Sequence, residues 1–325
     1  MKKLGLVAIV FSLCLFLVMG AAFAEYPEKP VKIIVPYGAG GGTDTTTRII
    51  QKALEKVLPQ PVVIVNMGGA AGLIGSRELL KAEPDGYTML VNIINVWTNK
   101  VLGTADFGPD AFQSVAQCGT FYLVEVTRPE SPYDNLKQMV AYAKENPDTI
   151  KVATNIGAIT HFTTLALQDA VDGAENMIRL VHIGDGATRI ANVLGGHVDS
   201  TIMGTNEAKP YHESGEMKVL AVYAPERVKG FEDVPTAYEQ DINLEQAVNY
   251  WFFMPEGTPM ERVNYMADAL EKAMQDPELV QKLESIAMIP TFLRGEELDQ
   301  KIETEGKKIR AIAEKHNLVD MKKNQ

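Results

Sequence analysis

A glycine-rich loop between an apolar segment and an amphipathic segment holds the residues whose chemistry is most informative. Residues 31–35 have the sequence VKIIV, Pro36 follows, and residues 37–44 have the sequence YGAGGGTD. Main-chain N–H groups of such a loop are uncovered, and the helix start behind them adds a partial positive charge that favours anions. We therefore predict an anion site whose ligand-binding residues from this loop are Tyr37, Gly40, Gly41, Gly42, Thr43 and Asp44.

Two other interpretations of these glycines stay open. A dinucleotide-binding fingerprint needs a further glycine where Thr43 stands, and Pro36 interrupts the expected strand end. The glycines could also form a tight turn that binds nothing. Asp44 falls in the first helical turn, where a carboxylate caps the helix as readily as it contacts a ligand.

Two further loops connect a predicted strand to a predicted helix, at residues 154–161 and 183–188. Ligands of open parallel sheets bind beyond the carboxyl ends of the strands, so we expect all three loops to line one cleft. His161 could contact the ligand or only begin a helix, and Arg189 could neutralise a carboxylate or lie on a solvated helix face. The candidate ligand-binding residues from these loops are Asn155, Gly157, Ala158, His161, Gly186 and Ala187.

The sequence offers little for catalysis. No G-x-S-x-G elbow is present, and the five histidines show no metal-ligand spacing with each other or with Cys118. We therefore predict a binding protein that is not an enzyme, with no catalytic residues, no cofactor and no metal. The alternative from another class is an exported α/β enzyme.

The N-terminus has the pattern of an export signal. Met1-Lys2-Lys3 precedes an uncharged apolar run over residues 4–19, and Ala22-Phe23-Ala24 is an A-x-A cleavage site. We predict a signal peptide over residues 1–24, cleavage after Ala24 and a periplasmic location. The net charge of −11 argues against a nucleic-acid partner.

Predicted strands and helices alternate along the chain, which favours the α/β class with parallel sheets. The predicted strands cover residues 31–35, 62–65, 87–91, 150–153, 178–181, 198–203, 219–222 and 248–254. The predicted helices cover residues 43–58, 136–146, 161–170, 259–275, 277–286 and 296–316, with shorter ones ending near residues 82 and 194. The segment over residues 92–97 is predicted to be extended, and the two halves are expected to form separate sheets.

Six short segments match one known family in their order and spacing. They are YPEKP at 26–30, PYGAGGGTD at 36–44, PVVIVN at 61–66, PDGYT at 84–88, LGGHVD at 194–199 and DVPT at 233–236. The chain resembles the periplasmic receptors of tripartite tricarboxylate transporters, also called the Bug family. The resemblance covers essentially the whole chain after the signal peptide.

This resemblance implies a type II periplasmic binding-protein fold, in which two α/β lobes close on a ligand. It implies one lobe over residues 25–125 plus 223–325 and a second lobe over residues 126–222. It also implies a small-molecule carboxylate ligand and delivery by a monomer to inner-membrane transporter subunits. A receptor that presents its ligand-bound form to a membrane sensor kinase is the alternative within this fold.

Two departures from the family pattern bear on the ligand. Asn155 and Ala158 stand where the family has glycine and serine, although Gly157 and His161 remain. The segment after the third strand contains Trp97 and apolar neighbours in place of small hydroxyl residues. Trp97 is therefore a candidate ligand contact at an apolar distal end of the pocket, and packing inside the lobe is the alternative.

Overall fold

The computed structural model describes residues 26–171, 177–184 and 186–320. The predicted signal peptide, its cleavage site after Ala24, and Asp185 of the third predicted loop lie outside the described residues. No helix in these three ranges is both long enough and apolar enough to cross a membrane.

Strands and helices alternate in the described part of the chain, as the sequence predicts. The strands are β1 (Val31–Val35), β2 (Val62–Asn66), β3 (Thr88–Asn92), β4 (Phe112–Thr127), β5 (Ile150–Thr154), β6 (Ile178–His182), β7 (Ser200–Gly204), β8 (Lys218–Val222), β9 (Ala247–Pro255) and β10 (Ile289–Leu293). The helices are α1 (Gly42–Leu54), α2 (Leu73–Leu80), α3 (Asn95–Val101), α4 (Leu136–Glu145), α5 (Ile159–Asp169), α6 (Gly186–Leu194), α7 (Thr205–Glu213), α8 (Met260–Met274), α9 (Pro277–Ser285) and α10 (Gly295–Lys315).

The first lobe is built on the sheet β2-β1-β3-β9-β4, with β10 paired to β4. β1 lies between β2 and β3 and is parallel to both, because each strand is joined to the next through a helix that crosses over the sheet. Ile33, Ile34 and Leu90 are fully buried in the core between this sheet and its helices. The carboxyl end of β1 therefore opens directly into the glycine loop and the start of α1.

The second lobe is built on β5, β6, β7 and β8. β5 is parallel to β6 and β7, and α5 and α6 follow the carboxyl ends of β5 and β6. This order places the loops before both helices at one edge of the sheet, as the sequence predicts.

One long strand joins the two lobes. Residues 112–122 of β4 pair with β9, and residues 123–127 pair with β7 and β8. The expectation of separate sheets was therefore wrong in this respect, since β4 runs through both. Its 16 residues include no proline or charged side chain that would interrupt a strand before Glu125. The exact lobe boundaries, after residues 125 and 222, stay a prediction.

Four elements differ from the prediction, and one of them is β4, which was not among the predicted strands. The segment over residues 92–97 is not extended throughout, because α3 begins at Asn95. α7 was missed because its apolar residues are few and Pro210 lies inside it. β10 was missed because it follows α9 with only a short connection and is paired to the distant β4.

Candidate functional site

The glycine loop places the main-chain donors of α1 at the carboxyl end of β1. The Gly40 amide donates to Asp44 Oδ2 at 2.8 Å, and the Gly41 amide donates to the Gly38 carbonyl at 3.3 Å. Gly41 is the N-cap of α1 and supplies no side-chain cap. Among the described residues, no hydrogen-bond acceptor reaches the amides of Thr43 and Asp44. These two buried residues therefore present donors at the positive end of the helix.

Asp44 is held by its own loop and helix. Its carboxylate accepts hydrogen bonds from Arg48 Nε at 3.0 Å and from Asn66 Nδ2 at 2.9 Å, in addition to the Gly40 amide. Burial alone would raise the pKa of this carboxyl, but the hydrogen bonds from Arg48, Gly40 and Asn66 lower it below its usual value. The structure thus favours the helix-capping interpretation of Asp44.

The Gly42 amide at the first position of α1 donates to a side chain of the second lobe. Its acceptor is Glu207 Oε1, at 3.0 Å. Glu207 lies in the first turn of α7, three residues after the N-cap Gly204. The carboxylate therefore lies between the starts of two helices, α1 and α7. Sequence reasoning missed Glu207 because α7 itself was not predicted.

The second loop ends at the start of α5, where Ala158 is the N-cap. The Ile159 amide at the first position of α5 donates to Asn95 Oδ1 at 3.0 Å. The Gly157 amide is directed at His161 Nδ1 at 3.4 Å, and Gly157 has a φ of +92°. This left-handed conformation explains why glycine stands there.

His161 is 6% exposed and acts within its own loop. Burial, followed by the neighbouring His316 and His182, lowers the pKa of His161 to about 4. The ring is therefore neutral at pH 7, with Nδ1 as the acceptor and the proton on Nε2. The structure favours the helix-start interpretation of His161.

Asn95 connects the two loops across the cleft. Its Nδ2 donates to Tyr37 Oη at 3.3 Å, while its Oδ1 accepts from the Ile159 amide. Tyr37 Oη in turn donates to Asn92 Oδ1 at 2.8 Å, and burial raises the pKa of Tyr37 above its ordinary value. The loops over residues 37–44 and 154–161 thus meet at opposite ends of one amide. Asn95 stands out in the sequence as a polar residue after the third strand, but the segment was interpreted from its apolar neighbours.

The third loop contributes the start of α6. Gly186 is half-buried and Ala187 is exposed, whereas Asn155 is half-buried and Ala158 buried in the second loop. Arg189, one turn into α6, is 9% exposed, which contradicts the alternative that it lies on a solvated helix face. Its guanidinium lies beside Gly186, since a Cβ on that glycine would be 3.7 Å from Nη2.

Trp97 lies against the C-terminal helix α10. Its Nε1 donates to the Ile302 carbonyl at 2.9 Å, and its ring lies so close to Gly306 that a Cβ there would be 2.4 Å from Cε2. The structure favours the packing alternative for Trp97. The buried side chains of Asn92 and Asn95 near Tyr37 are polar, contrary to the expected apolar distal end.

The donors at the start of α1 are suited to bind an anion by main-chain hydrogen bonds, whereas the amides of Gly157, Ala158 and Ile159 at the start of α5 have acceptors within the protein. Neither loop contains a lysine or an arginine between residues 37 and 44 or between residues 154 and 161. In the three described ranges, no group of His, Cys, Asp and Glu side chains could hold a metal ion.

Comparison with known proteins identifies relatives over nearly the whole chain. The chain is 28% identical over 298 residues to a UPF0065 protein of Cupriavidus necator, covering 90% of this chain and 89% of that protein. The periplasmic binding protein BugD is 26% identical with a TM-score of 0.82, covering 90% of this chain and 99% of BugD. MatC of Rhodopseudomonas palustris, whose structure contains bound malate, is 25% identical with a TM-score of 0.79, covering 88% and 99%.

These similarities confirm the two-lobed periplasmic binding-protein fold predicted from the sequence. The model of the tripartite tricarboxylate transporter family receptor matches residues 46–318. This match extends from α1 to beyond the end of α10 and so includes both lobes. The chain therefore belongs to the tripartite tricarboxylate transporter receptor family.

Proposed function

We propose that this receptor binds a small carboxylate between the starts of α1 and α5 and delivers it to inner-membrane transporter subunits. The main support for the proposal comes from the buried residues Thr43 and Asp44. Their main-chain N–H groups have no hydrogen-bond acceptor among the described residues. A carboxylate accepts two such hydrogen bonds and gains from the helix dipole. The bound malate of the related MatC supports a ligand of this class.

The proposed ligand-binding residues keep the loops that the sequence identified. They are Tyr37, Gly40, Gly41, Gly42, Thr43, Asp44, Asn155, Gly157, Ala158, His161, Gly186 and Ala187. Asn95 is added because its Oδ1 accepts a hydrogen bond from the first amide of α5. Glu207, which accepts from the first amide of α1, lies beside the site and is not counted among the ligand contacts. Trp97 is left out because its ring packs on α10. The lobes are proposed to comprise residues 25–125 plus 223–325, and residues 126–222.

Export and delivery complete the proposal. The signal peptide is proposed to be removed after Ala24, and the receptor to work as a periplasmic monomer. Closure of the lobes on the ligand would create the surface that the membrane subunits recognise, and the ligand shifts this equilibrium only by its preference for the closed form.

The experiment that tests the ligand class starts from the small molecule that co-purifies with the protein. Mass spectrometry after denaturation identifies it, and calorimetric titration of refolded protein then compares that acid with its matching amide. We expect the acid to bind and the amide to bind at least tenfold more weakly, because an amide brings no negative charge to the helix starts. Equal affinity for acid and amide, or a co-purified molecule without a carboxylate, would reject the proposed ligand class.

A further inference from the structure

The Glu207 carboxylate occupies a main-chain donor of the proposed ligand site. Its Oε1 lies 3.0 Å from the Gly42 amide nitrogen, at the first position of α1. The next two amides of the same helix turn, those of Thr43 and Asp44, are the donors assigned above to the ligand. A protein carboxylate and the proposed ligand carboxylate are therefore directed at the same helix start.

The negative charge of Glu207 lies at two helix starts, whereas several other acids of the protein pair with a lysine or an arginine. Glu213, at the end of the same helix, pairs with Lys209 Nζ at 2.5 Å. None of the ion pairs among the described residues includes Glu207, whose contact is the Gly42 amide. Glu207 also lies in the first turn of α7, where a negative charge is favoured. The charge of Glu207 is thus balanced by the same kind of dipole that would bind a ligand.

The side chains of Glu207 and Asn206 lie directly against Gly42. A Cβ built on Gly42 would be 2.9 Å from both Glu207 Oε1 and Asn206 Nδ2. An N–H group has one hydrogen to donate, and two carboxylates at one helix start repel each other strongly at low dielectric. Glu207 and a ligand carboxylate at Gly42 therefore exclude one another.

We propose that Glu207 is an internal competitor of the ligand: it holds the lobes together through Gly42 before binding, and an incoming carboxylate displaces it. This inference rests on the proposed function and adds a specificity-determining residue to it. A ligand must bring enough negative charge to replace Glu207, so a weak acceptor such as an amide or an alcohol does not open this contact. Because the contact exists only before binding, its removal should increase affinity for carboxylates.

A distance measurement tests the first half of the proposal without any ligand. Spin labels at Arg77→Cys in α2 and Lys144→Cys in α4 report the separation of the lobes, since both positions are exposed and Cys118 is buried. The protein is denatured to remove bound small molecules, refolded and measured by double electron–electron resonance. We expect Glu207→Ala to shift the distance distribution towards open lobes, and the control Glu213→Ala on the same helix to leave it unchanged.

Calorimetric titration with malate as the probe tests the second half. We expect Glu207→Gln, which keeps the size of the side chain and removes the charge, to increase malate affinity by about tenfold. Glu213→Gln should bind malate as the wild type does. Malonamide and glycerol should bind no more tightly to Glu207→Gln than to the wild type.

The outcomes separate this inference from the proposed function. A distance distribution that Glu207→Ala leaves unchanged overturns the inference, whatever the protein binds. A loss of malate affinity in Glu207→Gln also overturns it, because Glu207 would then be a ligand contact. If no variant binds malate, the proposed ligand class loses support, and the lobe distances alone confirm or overturn the role of Glu207 in holding the lobes.

Discussion

Asn95 Oδ1 accepts a hydrogen bond from the Ile159 amide at 3.0 Å, and this bond joins α3 of the first lobe to the start of α5 in the second. The Nδ2 of the same side chain donates to Tyr37 Oη of the first lobe at 3.3 Å, so the Oδ1 atom is the one that bonds to the second lobe. Asn95 is 4% exposed, so both hydrogen bonds are shielded from water and depend on the amide keeping its orientation. One amide thus sets the spacing between the two loops proposed to bind the carboxylate.

The first prediction concerns the charge at this position. Asn95→Asp keeps an acceptor for the Ile159 amide, removes the donor to Tyr37 and places a negative charge beside the proposed ligand. We expect affinity for the co-purified carboxylate to fall by tenfold or more, about 1.4 kcal/mol or more, because like charges repel in a partly desolvated cleft. Calorimetric titration measures the loss.

The control is Asn192→Asp in α6, where Nδ2 donates to the Thr188 carbonyl at an exposed position. It makes the same change of charge away from the loops and should leave the affinity unchanged. An Asn95→Asp protein that binds as tightly as the wild type would show that Asn95 does not adjoin the ligand.

The sequence alone was sufficient to predict the glycine loop over residues 37–44, because the residues that indicate it are neighbours in the chain. An apolar strand, four closely spaced glycines and a helix start are all adjacent in the chain, and the structure places them as expected at β1 and α1. The loop before α5 was also located, since Gly157 and His161 mark a turn and a helix start. Alternation of strands and helices was likewise sufficient for the α/β class.

The residues that the sequence did not reveal act across the cleft. Glu207 is separated from Gly42 by 165 positions, and Asn95 from Ile159 by 64. The spacing of apolar residues within one segment cannot reveal a hydrogen bond to a distant segment, because each partner also fits the residue pattern of the helix in which it lies. β4 was missed for a related reason, since its two parts pair with strands that belong to different lobes.

The second prediction concerns Trp97. The ring packs against Gly306 of α10 and its Nε1 donates to the Ile302 carbonyl at 2.9 Å. We expect Trp97→Ala to lower the free energy of unfolding by about 3 kcal/mol, with ligand affinity changed less than threefold. Gly306→Ala should destabilise the same contact by about 1–3 kcal/mol, because a Cβ has no room there.

Urea denaturation and calorimetric titration of both variants provide the measurements. A matched pair of stability losses with unchanged binding would establish the packing role. Trp97→Ala that lost affinity while keeping its stability would instead restore Trp97 as a ligand contact.

The third prediction concerns the conformation of Gly157. Its φ of +92° is disfavoured for residues with a side chain, and a Cβ would lie 3.1 Å from Leu102 Cδ1. We expect Gly157→Ala to lower the free energy of unfolding by about 1–2 kcal/mol and to weaken ligand binding, because the loop must move away from Leu102. The control is Gly38→Ala in the other loop, where φ is not positive and a Cβ would meet nothing within 4 Å. Thermal and urea denaturation should show a loss only for Gly157→Ala.

The last prediction concerns a buried acid where β4 passes between the lobes. Glu125 is fully buried, and Tyr223, just after β8, donates its Oη to Glu125 Oε2 at 2.9 Å. Burial raises the pKa of Glu125 from 4.5 to about 7, and the hydrogen bond from Tyr223 opposes this only in part. The two crossing segments of the lobes are therefore joined through a carboxyl that is protonated more readily in the folded protein than in the unfolded chain.

The sign of the pH dependence follows from this difference. Between about pH 4.5 and about pH 7 the folded protein holds a proton on Glu125 that the unfolded chain has released, so stability from this group falls as the pH rises. Glu125→Gln removes the titration and keeps an acceptor for Tyr223. We expect the stability of Glu125→Gln relative to the wild type to increase by about 2–3 kcal/mol between about pH 5 and about pH 8. Urea denaturation at both pH values measures it, with Glu130→Gln at an exposed position of the same connection as the control. A difference between Glu125→Gln and the wild type that stayed constant over this range would mean that Glu125 keeps an ordinary pKa, and that the crossing segments are joined by a charged carboxylate.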